Sequence, residues 1–372
     1  NKPVFTVVKQ NPITSIKDQN RSGTCWAYST LSYFESEILK HTGKTYDLSE
    51  MFVANKTYMD RATMAVRMHG DVSFSQGGSA YDVLYALQHY GIVPEGAMPA
   101  PGTLTGDSLA NFGEFFDVMT PYVEAVAKSN AKKISSAWKS GLQGIIDSYI
   151  GKTPEKFTYQ GKQYTPQSFC QSLGLNLDDY VTITSYTHHP MWSKFAVEVQ
   201  DNWRWPLSYN VPMDDLCKII DNAINNGYTV AWGGDVTEDG FTRKGLGIAY
   251  DVKKVRSMAG TDADHWFKLS KDEKKEKFDS LGVNAPEVVP TQAMRQEAFD
   301  NWETTDDHGM HIYGIAKDQN GKEYYMVKNS WGEYGDYKGT WYMTKAFVAY
   351  KTMDFMVNKN AIPKDIRKKL GI

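Results

Sequence analysis

From residue 25 onward the apolar positions recur with a helical period. Ala27, Leu31, Phe34 and Ile38 fall on one face of a segment that the spacing predicts to be a helix. Residues 1–24 read as a loop leading into it, since Pro12 and the polar cluster Asp18–Gly23 disfavour regular structure. Asp47-Leu-Ser-Glu50 reads as a turn, with Ser49 as N-cap of a second helix starting at Glu50. Ser75-Gln-Gly-Gly-Ser79 reads as a glycine-rich bend. Ser79 is expected to cap a third helix that turns Val83, Leu84 and Leu87 inward and closes at Gly91. Segments 114–128 and 132–150 are helical again, the second stopping at Gly151 and Pro154. Lys156–Tyr164 predicts a short hairpin turning at Gln160-Gly161, and Thr165 or Ser168 opens a helix toward Leu173.

The period then changes. Tyr180–Tyr186 alternates in polarity, and Asp214 or Asp215 is expected to cap a helix through Ile219, Ile220 and Ile224 that Gly227 stops. Tyr228–Trp232, His311–Ala316, Glu323–Lys328 and Thr340–Thr344 read as strands, with a hairpin turn at Asp318–Gly321. Helices first and antiparallel strands later predict an α+β fold of two lobes. We expect one peptide chain folded as a mainly helical lobe over 1–103, an inserted helical subdomain over 104–205, and a mainly β lobe over 206–372.

With 372 residues, 41% of them hydrophobic, the chain can bury a sizeable core. A net charge of −3 argues against nucleic acid as a partner, and no run of eighteen apolar residues is present to span a membrane. Cys25, Cys170 and Cys217 are too few and too scattered for a disulfide framework or a zinc site, and the last two read as inert core residues. The chain starts at Asn1 without a leader pattern, so either a signal peptide was removed or the segment was trimmed; this leaves the compartment open.

Chemistry enters with Gln19-Asn-Arg-Ser-Gly-Thr-Cys25-Trp26. A thiol at a helix N-terminus sits where unpaired N–H groups and the helix dipole favour the thiolate, which is the nucleophile. Gln19 could lend its amide to an oxyanion beside that sulfur. A buried structural cysteine is the competing reading. Downstream stand Asp307-His308-Gly309-Met310 and Lys328-Asn329-Ser330-Trp331-Gly332. A thiolate wants an imidazole to share its proton, and that imidazole wants a partner to fix its tautomer. His308 and Asn329 supply the two types on successive strands, and Trp331 could cover their contact from water. A metal site from Asp306, Asp307, His308 and His311 is disfavoured by short spacing in a strand context, so no metal or cofactor is expected. His188-His189 reads as a solvated or hydrogen-bonded pair.

These blocks resemble the papain-like cysteine peptidases: Gln19, Gly23-Thr-Cys25-Trp26-Ala, Leu48-Ser-Glu50, Gln76-Gly77-Gly78, Asp307-His308-Gly309 and Lys328-Asn-Ser-Trp-Gly332, in order over most of the chain. Positions 25 and 308 are 283 residues apart. The papain signature has roughly 130–150, and the excess fits an insertion. Such an insertion, with Tyr90-Gly-Ile-Val-Pro94, Trp232-Gly-Gly-Asp-Val236 and Val357-Asn-Lys-Asn-Ala-Ile-Pro363, is similar to the bleomycin hydrolase and aminopeptidase C branch. The resemblance implies a papain-like fold and thiol-dependent hydrolysis of peptides, with Cys25 as nucleophile, His308 as acid/base, Asn329 as its orienter and Gln19 in the oxyanion hole. Gln76, Gly77 and Gly78 would line the substrate groove, and Trp331 would shield the Asn329–His308 contact. Ser22 stands where the papain signature has a second cysteine. The branch implies removal of N-terminal residues by capture of the substrate amine at a C-terminal arm, a hexameric ring and a cytoplasmic location. A secreted or periplasmic one would follow if a leader was removed. This chain's tail, through Lys364, Arg367, Lys368 and Lys369 to Ile372, reads as short of that arm and basic. Cleavage within peptides, or a non-catalytic binding role, is therefore the alternative expectation.

Overall fold

The helix Cys25–Thr42 lies between everything else. The computed structural model describes residues 2–102, 109–258 and 263–372; the expected lobe boundary at 103–104 falls outside them. Ala27, Leu31, Phe34 and Ile38 are fully buried as the spacing predicts, but every other residue from Trp26 to Ile38 is buried too. One face meets the helical lobe and the other lies on the strand His308–Lys317, so no side is left for water. Small residues allow that second contact. Ser32 Oγ meets His311 Nδ1 at 2.8 Å, and Gly309 carries no Cβ, which would come 2.8 Å from Ser29 Oγ. Gly43, at φ 70°, ends the helix by donating to the Leu39 carbonyl.

In the helical lobe Glu50–Arg67 and Ala80–His89 pack on that helix, and Gly113–Ala127 and Ala137–Ile150 pack on Glu50–Arg67. Ser49 Oγ accepts from Phe52 N at 3.2 Å, and Ser79 with Asp82 forms a capping box, as the caps expected from sequence require. Leu31, Phe34, Phe52, Leu84, Phe115, Leu142 and Ile146 meet in one core. Each such side chain contributes about 1.5–3 kcal/mol on burial. The hairpin Phe157–Tyr159 with Lys162–Tyr164 turns at Gln160 and Gly161, both at positive φ.

The β lobe is one sheet of ten strands. Its order is Lys194–Phe195, Ser208–Asn210, Tyr180–Thr184, Thr352–Asn358, Val230–Gly234, His308–Lys317, Glu323–Lys328, Thr340–Thr344 and Leu246–Gly247. Thr6–Gln10 pairs onto His308–Lys317 as well. Three expectations are corrected. The sheet is mixed, because Tyr180–Thr184 with Ser208–Asn210 and Thr340–Thr344 with Leu246–Gly247 are parallel pairs. Residues 6–10 form a strand whose side chains are mostly exposed, so backbone pairing places it and no apolar alternation announces it. The helix Met213–Asn225 is capped by Pro212; Asp214 and Asp215 lie in its first turn, and Gln292 Oε1 accepts from Met213 N at 2.7 Å. Leu216, Ile219, Ile220 and Ile224 of that helix pack on the sheet, and the helix Lys364–Leu370 adds Ile366 and Leu370 to the same core.

Candidate active site

Where the two lobes meet, a cavity of about 140 Å³ opens beside the start of the central helix, and Cys25, Gly77, Gly78, Asp306, His308 and Gly309 are among its lining residues. The loop before Cys25 is tied down residue by residue. Gly23 N donates to Gln76 Oε1 at 2.7 Å, Trp26 Nε1 donates to the carbonyls of Gly23 and Gln76 at 3.0 Å, and Ser22 Oγ donates to the Gln19 carbonyl at 2.6 Å. The Ser22 hydroxyl thus holds locally where a cysteine would cross-link.

His308 opens the long central strand, and Asn329 follows the next one. Their side chains meet at 2.8 Å, Nε2 to Oδ1. Asn329 Oδ1 also accepts from Ser330 N at 2.8 Å, so it is an acceptor and His308 Nε2 carries the proton. That leaves the Nδ1 lone pair to take a proton from elsewhere. The Trp331 ring lies 5.0 Å from the imidazole, centre to centre, and both His308 and Asn329 are buried beneath it. Burial holds the His308 imidazole below its ordinary pKa, against the raising effect of the Asn329 bond.

Gln19 is buried next to this group. Its Oε1 accepts from Ser330 Oγ at 2.7 Å and its Nε2 gives one proton to the Ser22 carbonyl at 2.8 Å, leaving the second amide proton unspent. Ser330 was not singled out from sequence, although it stands inside the Asn-Ser-Trp motif. Gly77 and Gly78 line the cavity, and a Cβ on Gly78 would meet the Trp26 indole at 2.7 Å. Gln76 does not line it. Its side chain points back to Gly23 N and its carbonyl to Trp26 and Tyr58, so its part is to position the loop.

The expectation of a thiolate at Cys25 is reversed in this structure. Burial pushes the thiol up to about 12, and the Asp306 and Asp201 carboxylates add to the rise. Backbone N–H groups of Gly309 and Trp26 only partly offset this. The helix terminus is outweighed because desolvation of the anion is the larger effect. No hydrogen bond joins Sγ to His308 among the described residues, and burial opposes charge on both groups.

The remaining candidates go elsewhere. His311, which the metal reading had placed beside His308, turns to Ser32 in the central helix. His188 and His189 both reach Glu198, the one arrangement among the described residues with the distances of a metal site. Gln296 Oε1 accepts from Thr187 N at 2.6 Å, so its Nε2 donates to His188 Nδ1 at 3.1 Å. His188 Nε2 then keeps its proton and gives it to Glu198 Oε2 at 2.7 Å, which leaves no lone pair for a metal. The pair is hydrogen-bonded, as expected. Cys170 and Cys217 are free, their thiols directed to the carbonyls of Leu87 and Lys345. Asp201 and Asp354, which also line the cavity, carry no local sequence signal.

The model of the Peptidase C1-like family matches residues 1–302 and 286–371. Aminopeptidase G of Lactobacillus delbrueckii subsp. lactis is 23% identical over 397 residues, 97% of this chain and 84% of that protein. Aminopeptidase C of Lactobacillus helveticus is 24% identical over 410 residues, covering 98% and 85%. Bleomycin hydrolase of Rattus norvegicus is 22% identical over 409 residues, covering 98% and 84%. The crystal structure of pepw from Lactobacillus rhamnosis superimposes with a TM-score of 0.73 at 20% identity, over 98% of this chain and 84% of that one, and so shares the fold. The chain belongs to the Peptidase C1-like family.

Proposed function

We propose that the chain is a cysteine peptidase that removes N-terminal residues from peptides, with Cys25 as nucleophile and His308 as acid and base. One observation carries the reading: His308, with Nε2–H committed to Asn329 at 2.8 Å, and Cys25 line a single cavity between the lobes. As the peptide carbonyl arrives, His308 Nδ1 takes the thiol proton and Sγ attacks the carbonyl carbon. The oxyanion is met by the second amide proton of Gln19 and by the Cys25 N–H, which at the first helical position has no acceptor within the helix. His308 then passes the proton to the leaving amine, and water releases the acyl group by the same route in reverse. Among the described residues Gly78 N–H and its carbonyl have no hydrogen-bond partner, which suits a peptide backbone laid along the groove. The N-terminal specificity follows relatives named aminopeptidases. We further propose that the helical part of residues 104–205 is an insertion into the two-lobe frame, the strands Tyr180–Thr184 and Lys194–Phe195 belonging to the β-lobe sheet.

Cleavage inside longer peptides is a second reading, and one assay separates the two. The test is hydrolysis of one fluorogenic peptide, free or blocked at its N-terminus, under reducing conditions, by the native chain and by Cys25→Ala. Cleavage of the free form only, abolished in Cys25→Ala, is expected. Comparable cleavage of the blocked form would give the second reading, and full activity of Cys25→Ala would end both.

A further inference from the structure

Three carboxylates from distant parts of the chain meet at the cavity wall: Asp201, Asp306 and Asp354. Asp201 lies over Gly77, where a Cβ would come 2.5 Å from its Oδ2, and Asp354 lies over Gly233, where a Cβ would come 3.1 Å from its Oδ1. Two buried guanidiniums stand behind them. Arg61 pairs with Asp201 at 2.9 Å, and Arg295, whose Nε and Nη1 donate to the carbonyls of Ser185 and Ala349, acts on Asp354 through space. Asp306 sits between Asp201 and Asp354 in charge and forms no hydrogen bond or ion pair with the described residues. It is half-buried and lines the cavity.

With Asp307, which also lines the cavity, four carboxylates face two guanidiniums, leaving carboxylate charge unmatched at the wall of the substrate cleft. By itself that charge is unfavourable twice over. A carboxylate enclosed without a partner costs stability, and Asp306 is the charged group that most opposes thiolate formation at Cys25. Both effects change sign once a cation joins it. An ammonium suits the place, because its three protons can be shared among three carboxylates whereas a planar guanidinium cannot spread in that way.

We propose that Asp306, framed by Asp201 and Asp354, binds an ammonium group of the peptide substrate and thereby holds the peptide's carbonyl at Cys25. This rests on the peptidase reading and names the group that would select the substrate. The ammonium is either the peptide's N-terminus or a lysine side chain.

The test is binding, read by calorimetry on the Cys25→Ala chain so that nothing is cleaved. The probes are a tripeptide with free amine, its N-acetyl form, and N-acetyl forms carrying lysine or norleucine at the first or second position. A cationic probe is expected to bind about tenfold or more tightly than its neutral counterpart. That preference should disappear in Asp306→Asn and in Asp354→Asn, while neutral probes change less than about twofold. Preference for the free amine assigns the N-terminus, and preference for lysine over norleucine assigns the side chain. Equal binding of charged and neutral probes, equal losses for both in the variants, or no binding of any probe would overturn the proposal. Asp354 lies on the strand Thr352–Asn358 and Asp306 in the loop before His308–Lys317, so misfolding of one variant leaves the other to decide. Absence of hydrolysis by the native chain would refute the peptidase reading without touching this result.

Discussion

Replacing Asn329 by alanine separates orientation of the imidazole from everything else in the site. Asn329 is 1% exposed and its Oδ1 holds His308 Nε2–H at 2.8 Å. In the resting enzyme this bond joins neutral groups, worth about 1 kcal/mol net. Once His308 has taken the thiol proton the bond becomes charge-assisted, worth roughly 1.5–3 kcal/mol. Only the difference acts on the chemical step, about 0.5–2 kcal/mol, or about 2- to 30-fold in kcat. Because Asn329 touches no substrate in this account, KM should stay within about twofold. The assay is steady-state hydrolysis of a fluorogenic peptide by Asn329→Ala, with a thermal melt to confirm folding. A kcat within twofold of the native value, or a loss confined to KM, would refute the assignment of Asn329 as the residue that fixes the His308 tautomer.

Gln19→Ala removes an oxyanion donor and should lower kcat by about 10²–10³; unchanged kcat would remove Gln19 from the oxyanion hole. Gln76→Ala should lose one hydrogen bond to Gly23 N, about 1 kcal/mol of stability. Its effect on turnover should fall on kcat, whereas a rise in KM alone would restore it as a substrate contact. Asp306→Asn removes the charge that opposes the Cys25 thiolate, so alkylation by iodoacetamide at neutral pH should speed up even as cationic substrates are lost. Slower alkylation would contradict this. Asp354, pushed up to about 7 by burial against the lowering effect of Arg295, contributes stability that is full below the unfolded pKa near 4 and is lost as pH rises through 7. The melting temperature of Asp354→Asn minus native should therefore rise from pH 4 to pH 7, and a flat difference would contradict the shift. Asp306 and Arg295 act on the same pocket and are unchanged in that comparison.

Much of this molecule is legible where local physics acts alone. The caps at Ser49 and Ser79, the stop at Gly151 and the hairpin at Gln160-Gly161 follow from turn and helix-end chemistry that a few neighbouring residues decide. The catalytic candidates were legible for another reason. Cys25, His308 and Asn329 each sit at the end of an element, in a short motif that only the chemistry explains. What escaped is what tertiary structure decides. Thr6–Gln10 is a strand because an edge of His308–Lys317 is there to pair with. The thiol's environment depends on how deeply the two lobes bury it and on Asp201 and Asp306, which lie far from it in sequence. Gln76 reads like a groove residue in its Gln-Gly-Gly setting, yet the close fit of Gly78 against Trp26 turns its side chain toward the nucleophile loop.

The most direct measurement is covalent trapping with a peptidyl epoxide, read by intact mass and by mapping of the modified residue alongside loss of peptide hydrolysis. The account predicts one adduct on Cys25, none on Cys170 or Cys217, activity falling in proportion to labelling, and no adduct on His308→Ala over the same time. Full activity with Cys25 modified, or an adduct at another cysteine that tracks the loss of activity, would contradict it.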